Sequence, residues 1–545
     1  MNVQLSACAP TEGDADRTVV RIGWLGYPDS FNPGVGVLSE AYILYGLVYD
    51  SMFQLELDLS YSAHLTDDWS VSEDGTEWTF DLRDGMTFHD GEPVTAEDVV
   101  FSYDLYRNHA EFPFLHGYTA LIEDVEATGP TTVVVRLSLA IPNLPSQLTY
   151  LYILPRHLWD SHETEPALFR NEDMVGSGPF ELLEHRTNEF LRLGAHQQHH
   201  QTPPKIDEVI FVSYGTVDAL VQALRSGEVD LITEVPLTAA QALRRDPAVE
   251  VASGEPLTPK VIDIKLNQAD PSSCPEGVGV CSGHPALRDV RVRRALSHAT
   301  PKQELVDVIE LGFANPGRTL VARGFGAYFD DSLADYRYDL ERAATLLDEA
   351  GYTDPDGDGV RNDPSTGDPL RLRFFYPSDA ASSPRAAELI GRSWAKVGVA
   401  LDRRAVDPGA LSAARSPALD YDVILWSWDS DPDPNFLLSV MTSGEIETGG
   451  NDTGWSNAEY DDLFYRQATA RSEPERQQLI HRMQQLALED AVYIVPYEAL
   501  KVEAFRTDRF RGWRTSERGL LLEDRGNLVH LEPLRRDDSA GGTQP

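Results

Sequence analysis

Trp69-Ser-Val-Ser-Glu-Asp-Gly-Thr-Glu-Trp-Thr-Phe-Asp-Leu-Arg83, continued by Asp84-Gly-Met-Thr-Phe-His-Asp-Gly91 and Val94-Thr-Ala-Glu-Asp98, is the stretch from which the fold can be read. Asp74-Gly75 is a turn dipeptide between two strand-like runs, and side chains alternate along the second run, Thr76–Arg83. Asp84-Gly85 and Asp90-Gly91 supply two more turns. Thr95 then caps a helix expected to run through Tyr106. Val133, Val135 and Leu137 alternate in a further strand. The N-terminal third is therefore β-rich, with helices between strands.

Beyond residue 205 the rhythm changes. IDEVIFVSY (206–214) reads as a strand, VDALVQALRSG (217–227) as a helix stopped by Gly227, and VDLITEV (229–235) as a strand. Such a βαβ order predicts a partly parallel sheet with helices on its faces. A second unit begins after Lys260 with the strand VIDIKLN. Thr300-Pro-Lys-Gln303 has the form of a capping box. Ser383-Pro384 opens a helix carrying Ala386, Leu389, Ile390, Trp394 and Val397 on one face. No repeat is present, and two α/β lobes with several chain crossings fit this order.

At 545 residues, with 41% hydrophobic residues, the chain is long enough for two or more lobes and contains no apolar run able to span a bilayer. Its 88 acidic against 46 basic residues give a net charge of −42, which repels phosphates and argues against nucleic acid as a partner. Six lysines against forty arginines suit either a saline habitat or a GC-rich genome.

Cys274 and Cys281 flank a Gly/Pro-rich loop, and the expected product is a short disulfide, hence an oxidising compartment. Leu5-Ser-Ala-Cys8 has the form of a lipobox, followed by the acidic tether APTEGDADR. Only four residues precede it. Either the true start lies upstream of Met1, or Cys8 is incidental and the chain is cytoplasmic; the cysteine logic favours an extracytoplasmic protein anchored by a lipid at Cys8.

WSWDSDPDPNF (426–436) follows an apolar strand and places three aspartates within five residues. Asp433 before Pro434 reads as a helix N-cap, and Asp431 before Pro432 as a turn residue. Asp429 has no local structural task. A buried carboxylate needs compensation, either from an internal arginine or from a cation that arrives from outside.

The run from Trp69 to Gly91 with VTAEDVVFS (94–102) closely resembles the signature of the family 5 extracellular solute-binding proteins of ABC importers. VGSGPF (175–180), SGEVDLI (226–232), RDVRVRRALSHATPKQELVD (288–307), AKVGV (395–399) and WSWDSDPDPNFL (426–437) extend the likeness. The resemblance implies a two-lobed, hinge-closing α/β fold that encloses a ligand. Expected boundaries are 1–17 for lipobox and tether, 18–258 for lobe I with a subdomain inserted at about 48–175, and 259–495 for lobe II. Residues 496–532 would return to lobe I, and 533–545 would form a disordered tail.

In peptide-binding relatives an aspartate seven residues before the phenylalanine, here Asp429, receives the ligand's ammonium group. Trp426, Ser427 and Trp428 resemble the segment that pairs with peptide backbone as an added strand. Val37 and Leu38, beyond Phe31-Asn32-Pro33, are the expected main-chain contact from lobe I. Dipeptide-specific relatives carry an arginine seventeen residues before the tryptophan of the AKVGV segment. Here that position is Pro377, and nearby Asp379 would repel a free carboxylate. The implied ligands are longer peptides or amine-bearing solutes, with opines, metal chelates and oligosaccharides as alternatives. A monomeric receptor would deliver them to permease and ATPase subunits, touching the membrane only through its lipid.

Asp354-Pro-Asp356-Gly-Asp358-Gly359 reads either as the start of a structural calcium loop, without the usual glutamate because Ser365 stands there, or as a solvated acidic turn. His196, His199 and His200 in GAHQQHHQ read either as transition-metal ligands, since a neutral imidazole is a good donor, or as a flexible polar loop; no companion carboxylate or cysteine is close in sequence, and the loop is the expectation. A secreted hydrolase is the remaining alternative. The sequence carries neither a G-x-S-x-G elbow nor an H-E-x-x-H pair, so no enzyme activity and no cofactor beyond calcium are expected.

Overall fold

The structure, a computed structural model, describes residues 17–534 apart from 57, 59, 142–143, 257–258, 275–279, 381, 417, 430–432, 449, 471 and 516–524. Cys8, Asp431 and the segment 535–545 lie outside the described residues. Unit 1 takes the chain up to Gly254 and again from Val502; unit 2 is Glu255–Lys501.

Unit 1 is built on a seven-stranded sheet. Its order is Val249–Gly254, Lys501–Arg506, Leu231–Ile232, Val19–Leu25, Glu208–Tyr214, Phe190–Ala195, Phe180–Arg186. Val19–Leu25 runs parallel to both Glu208–Tyr214 and Leu231–Ile232, as the βαβ reading requires. The connecting helix, Val217–Ser226, stops at Gly227, whose φ of 76° is the left-handed conformation that glycine adopts without strain. Trp24 of the first strand stacks on Phe211, with ring centroids 4.5 Å apart, in the buried core.

A separate four-stranded antiparallel sheet, Thr66–Val71, Glu77–Leu82, Thr132–Leu137 and Ile122–Ala127, occupies the same unit. Its first strand ends at Val71, four residues before the glycine that the pattern suggested. Asp74 and Gly75 lie in the turn that follows, Gly75 at φ 76°: the Gly75 N–H donates to the Ser72 carbonyl at 2.9 Å, and the Ser72 hydroxyl to Asp74 at 2.6 Å. Thr95 and Asp98 form a capping box on helix Ala96–Asn108, which extends two residues past Tyr106.

Unit 2 carries a six-stranded sheet ordered Ala314–Asn315, Tyr493–Ala499, Lys260–Leu266, Val423–Asp429, Arg371–Pro377, Ala400–Val406. Crossings between the units fall at 254/255 and 501/502, where the sequence placed them at 258/259 and 495/496. Pairing explains the second difference. Tyr493–Ala499 is bonded to Lys260–Leu266 and stays in unit 2, whereas Lys501–Arg506 pairs with Leu231–Ile232 of unit 1. At the C-terminal side, Glu532–Pro533 pairs with Phe510–Arg511, so residues 533 and 534 are not part of a disordered tail. No helix among the described residues is long and apolar enough to cross a membrane.

Candidate ligand-binding site

Val423, Ile424 and Leu425 are buried, and they contribute to hydrophobic clusters on both faces of the unit 2 sheet. A strand buried on both faces reads as a continuous apolar run, which is how this one reads. Lys260–Leu266 pairs with it antiparallel along its whole length, from Lys260↔Asp429 to Leu266↔Val423. On its other side Arg371–Pro377 pairs in parallel, and only through Phe374↔Val423 and Phe375↔Ile424. Among the described residues, the backbone edge of Leu425–Asp429 on that side has no ladder partner.

Three carboxylates and one amine gather at this end of the sheet. Asp429 ends its strand with a side chain 72% exposed, and Lys260 Nζ stands 3.9 Å from its Oδ1. Asp379, also exposed, follows Pro377 at the C-terminal end of the neighbouring parallel strand. Glu498 sits at the corresponding end of Tyr493–Ala499. Burial pushes its carboxyl up to about 7, against the Arg323 backbone N–H that it accepts at 3.0 Å. Trp426, Ser427 and Trp428 are half-buried, and they stand opposite Asp263, Ile262 and Val261 on the partner strand.

A network that the sequence did not disclose lies beneath Trp428. Lys265 and Asp263 are fully buried and 2.6 Å apart, and Lys265 Nζ is also 3.0 Å from Asp452. Arg415 adds a second cation to Asp452 at 3.1 Å, and the Tyr493 hydroxyl donates to the same carboxylate. Lys265 Nζ sits 4.6 Å from the centroid of the Trp428 ring and Arg415 5.3 Å, while Phe436 meets the ring edge-on at 5.6 Å. These contacts fix the tryptophan, and with it the strand end. The signal available in the sequence was an aspartate and a lysine two apart in the strand VIDIKLN, which puts both on one face.

Asp433 departs from the capping expectation. The following helix is Asn435–Ser439, with Pro434 at the cap position. Asp433 accepts the Asn435 N–H at 2.8 Å, and the buried Arg476 grips it with two bonds of 2.6 and 2.7 Å. A bidentate guanidinium contact is the stronger of these interactions.

In unit 1, Val37 and Leu38 are exposed, but their N–H groups already donate to the two oxygens of Asp29 at 2.9 and 3.1 Å. The expected main-chain contact is thereby narrowed to carbonyls and side chains. Cys274 and Cys281 are joined as a disulfide. Asp354, Asp356 and Asp358 are exposed, with carboxylates within 4.8 Å of one another. Asp354 accepts the N–H groups of Gly357 and Gly359, and Asp358 that of Val360.

Two α/β units, each built on its own sheet, have the architecture of a two-lobed binding protein. The bacterial extracellular solute-binding proteins, family 5, match residues 60–448. The chain belongs to that family, and as such it is the extracytoplasmic substrate receptor of an ABC transporter and not an enzyme. It is 25% identical to a heme-binding protein A of Haemophilus influenzae over 79% of this chain and 77% of that one. It is 24% identical to a dipeptide-binding protein of Escherichia coli, covering 85% and 86%. The fold matches the structure of HbpA2 from Haemophilus parasuis with a TM-score of 0.80 at 20% identity, over 95% of this chain and 100% of that one.

Proposed function

We propose that this receptor captures peptides longer than two residues, or related amine-bearing solutes, by laying their backbone along the open edge of Leu425–Asp429. The ligand's ammonium group goes to Asp429. One observation carries the reading: among the described residues the strand has no ladder partner on that side after Ile424, and an exposed carboxylate stands at its tip. Main-chain bonds from such an edge accept many sequences, because the ligand contributes only backbone. Lys260 is a weak rival for Asp429, since an exposed pair contributes at most about 1 kcal/mol. Pro377 and Asp379 offer no cation for the carboxylate of a dipeptide, which favours ligands whose C-terminus lies elsewhere. Acting as a monomer held to the membrane by a lipid on Cys8, the protein hands its ligand to permease and ATPase partners. An intact mass of the native protein checks the acylation.

The test is Asp429→Asn, with a thermal-shift screen of peptides of graded length and of opines and metal chelates. Once a ligand buries the ion pair, loss of one partner costs about 3–5 kcal/mol, or about two to four decades in Kd. Equal affinity in variant and parent removes Asp429 from the site.

A further inference from the structure

GAHQQHHQ is not a free polar loop. His199 and His200 follow strand Phe190–Ala195 and turn inward, where they meet Asp50 and His64. One ligand atom from each of these four residues lies within 4.8 Å of the others. His64 Nε2 is 2.7 Å from Asp50 Oδ1, His199 Nε2 is 3.6 Å from Asp50 Oδ2, and His200 Nδ1 is 3.7 Å from the same oxygen. All four side chains are 7% exposed or less.

We propose that Asp50, His64, His199 and His200 bind one first-row divalent cation, zinc in the first instance, as a structural clamp inside unit 1. The donor set is three imidazoles and one carboxylate, which suits zinc and its neighbours rather than calcium or magnesium. Tetrahedral ligands about 2.0–2.1 Å from a zinc stand roughly 3.3 Å from one another, and the histidine distances to the Asp50 oxygens, 2.7, 3.6 and 3.7 Å, fall on either side of that separation.

A simple histidine–carboxylate pair accounts for His64 and leaves His199 unexplained. Among the described residues neither ring nitrogen of His199 makes a hydrogen bond, although its side chain is only 4% exposed. Leaving a buried polar atom unsatisfied costs about 1–3 kcal/mol, and a metal ligand bond removes that cost. The backbone around the ligands is held independently of any ion. The His64 N–H donates to the Met52 carbonyl at 2.9 Å, and the Ile153 N–H to that of Asp50 at 2.9 Å. Arg83 Nε donates to the His64 carbonyl at 2.7 Å. His64 precedes the first strand of the four-stranded sheet, whereas His199 and His200 follow a strand of the seven-stranded one. One ion would tie the two sheets together.

The experiment uses the full chain purified without a polyhistidine tag, stripped with a chelator, and titrated with Zn²⁺ by calorimetry and with Co²⁺ by absorption. Expected are one equivalent per chain, a Tm raised by several degrees in zinc, and the intense visible bands of tetrahedral cobalt. His199→Ala should weaken zinc binding by at least about 100-fold, more than the 10–100-fold typical of losing an outer partner. Asp354→Asn, which alters the exposed acidic turn, should leave it unchanged. His200→Gln provides a second ligand variant should His199→Ala fail to fold. A parent with no zinc-dependent Tm change and no cobalt bands overturns the proposal. So does zinc affinity equal to the parent's in a folded ligand variant.

Discussion

Two ion pairs draw on one strand of unit 2, Lys260–Leu266, and solvent treats them differently. At the sheet edge, Lys260 and Asp429 stand opposite each other 3.9 Å apart, both largely in water. Three residues further along the first strand, Asp263, with Lys265, Asp452 and Arg415, is withdrawn from water among aromatic rings. Both contain lysine and aspartate. The buried group holds the strand in place, because each charge depends on its partners; the edge pair leaves its carboxylate open to a competitor. A carboxylate suited to recognising an outside cation is one the fold does not need.

Breaking the buried group should have the largest effect. Lys265→Met removes the cation that bridges Asp263 and Asp452, and the loss of one buried partner costs about 3–5 kcal/mol, to be read as a lower urea midpoint. A loss below about 1 kcal/mol would end the distinction between the two regions.

The pH dependence gives a smaller effect of definite sign. Burial raises the Asp263 carboxyl from an ordinary 3.8 to about 6, against the pull of Lys265 and Arg415 and with the push of Asp452. The native state therefore holds a proton that the unfolded chain has released between pH 4 and 6. Stability contributed by this group is present below pH 4 and falls as pH rises to about 6, by an amount on the order of 2–3 kcal/mol. Chemical denaturation across that window should show the slope in the parent and a flatter profile in Asp263→Asn. An identical profile in both assigns the slope to another group.

The smallest effect belongs to the edge. Lys260→Ala should change stability by less than about 0.5 kcal/mol while tightening binding of an amine-bearing peptide, because the internal rival for Asp429 is gone. Weaker binding would mean that Lys260 itself touches the ligand.

Much of this architecture was legible in local sequence. Asp-Gly turns, the Thr95–Asp98 box and the Gly227 stop act over three or four residues, so a short window contains both cause and effect. Val423–Leu425 announced double-sided burial by lacking alternation. Asp433 was misread for a related reason: Asp-Pro before an apolar run is a capping pattern, yet Arg476, 43 residues away, takes the carboxylate. The histidines of GAHQQHHQ looked polar and loose because their carboxylate, Asp50, belongs to the segment after helix Ser39–Val48.

By itself the sequence determined the class of protein, the α/β elements, and the singling out of Asp429 as an aspartate without a local task. The tertiary structure decided which charges meet: Asp263 with Lys265 and Asp452, Asp433 with Arg476, and Asp50 with three histidines. Turn and cap preferences follow from bonds between near neighbours in the chain. Ion pairs and ligand sets follow instead from strand order, register and burial, which exist only once distant segments have packed.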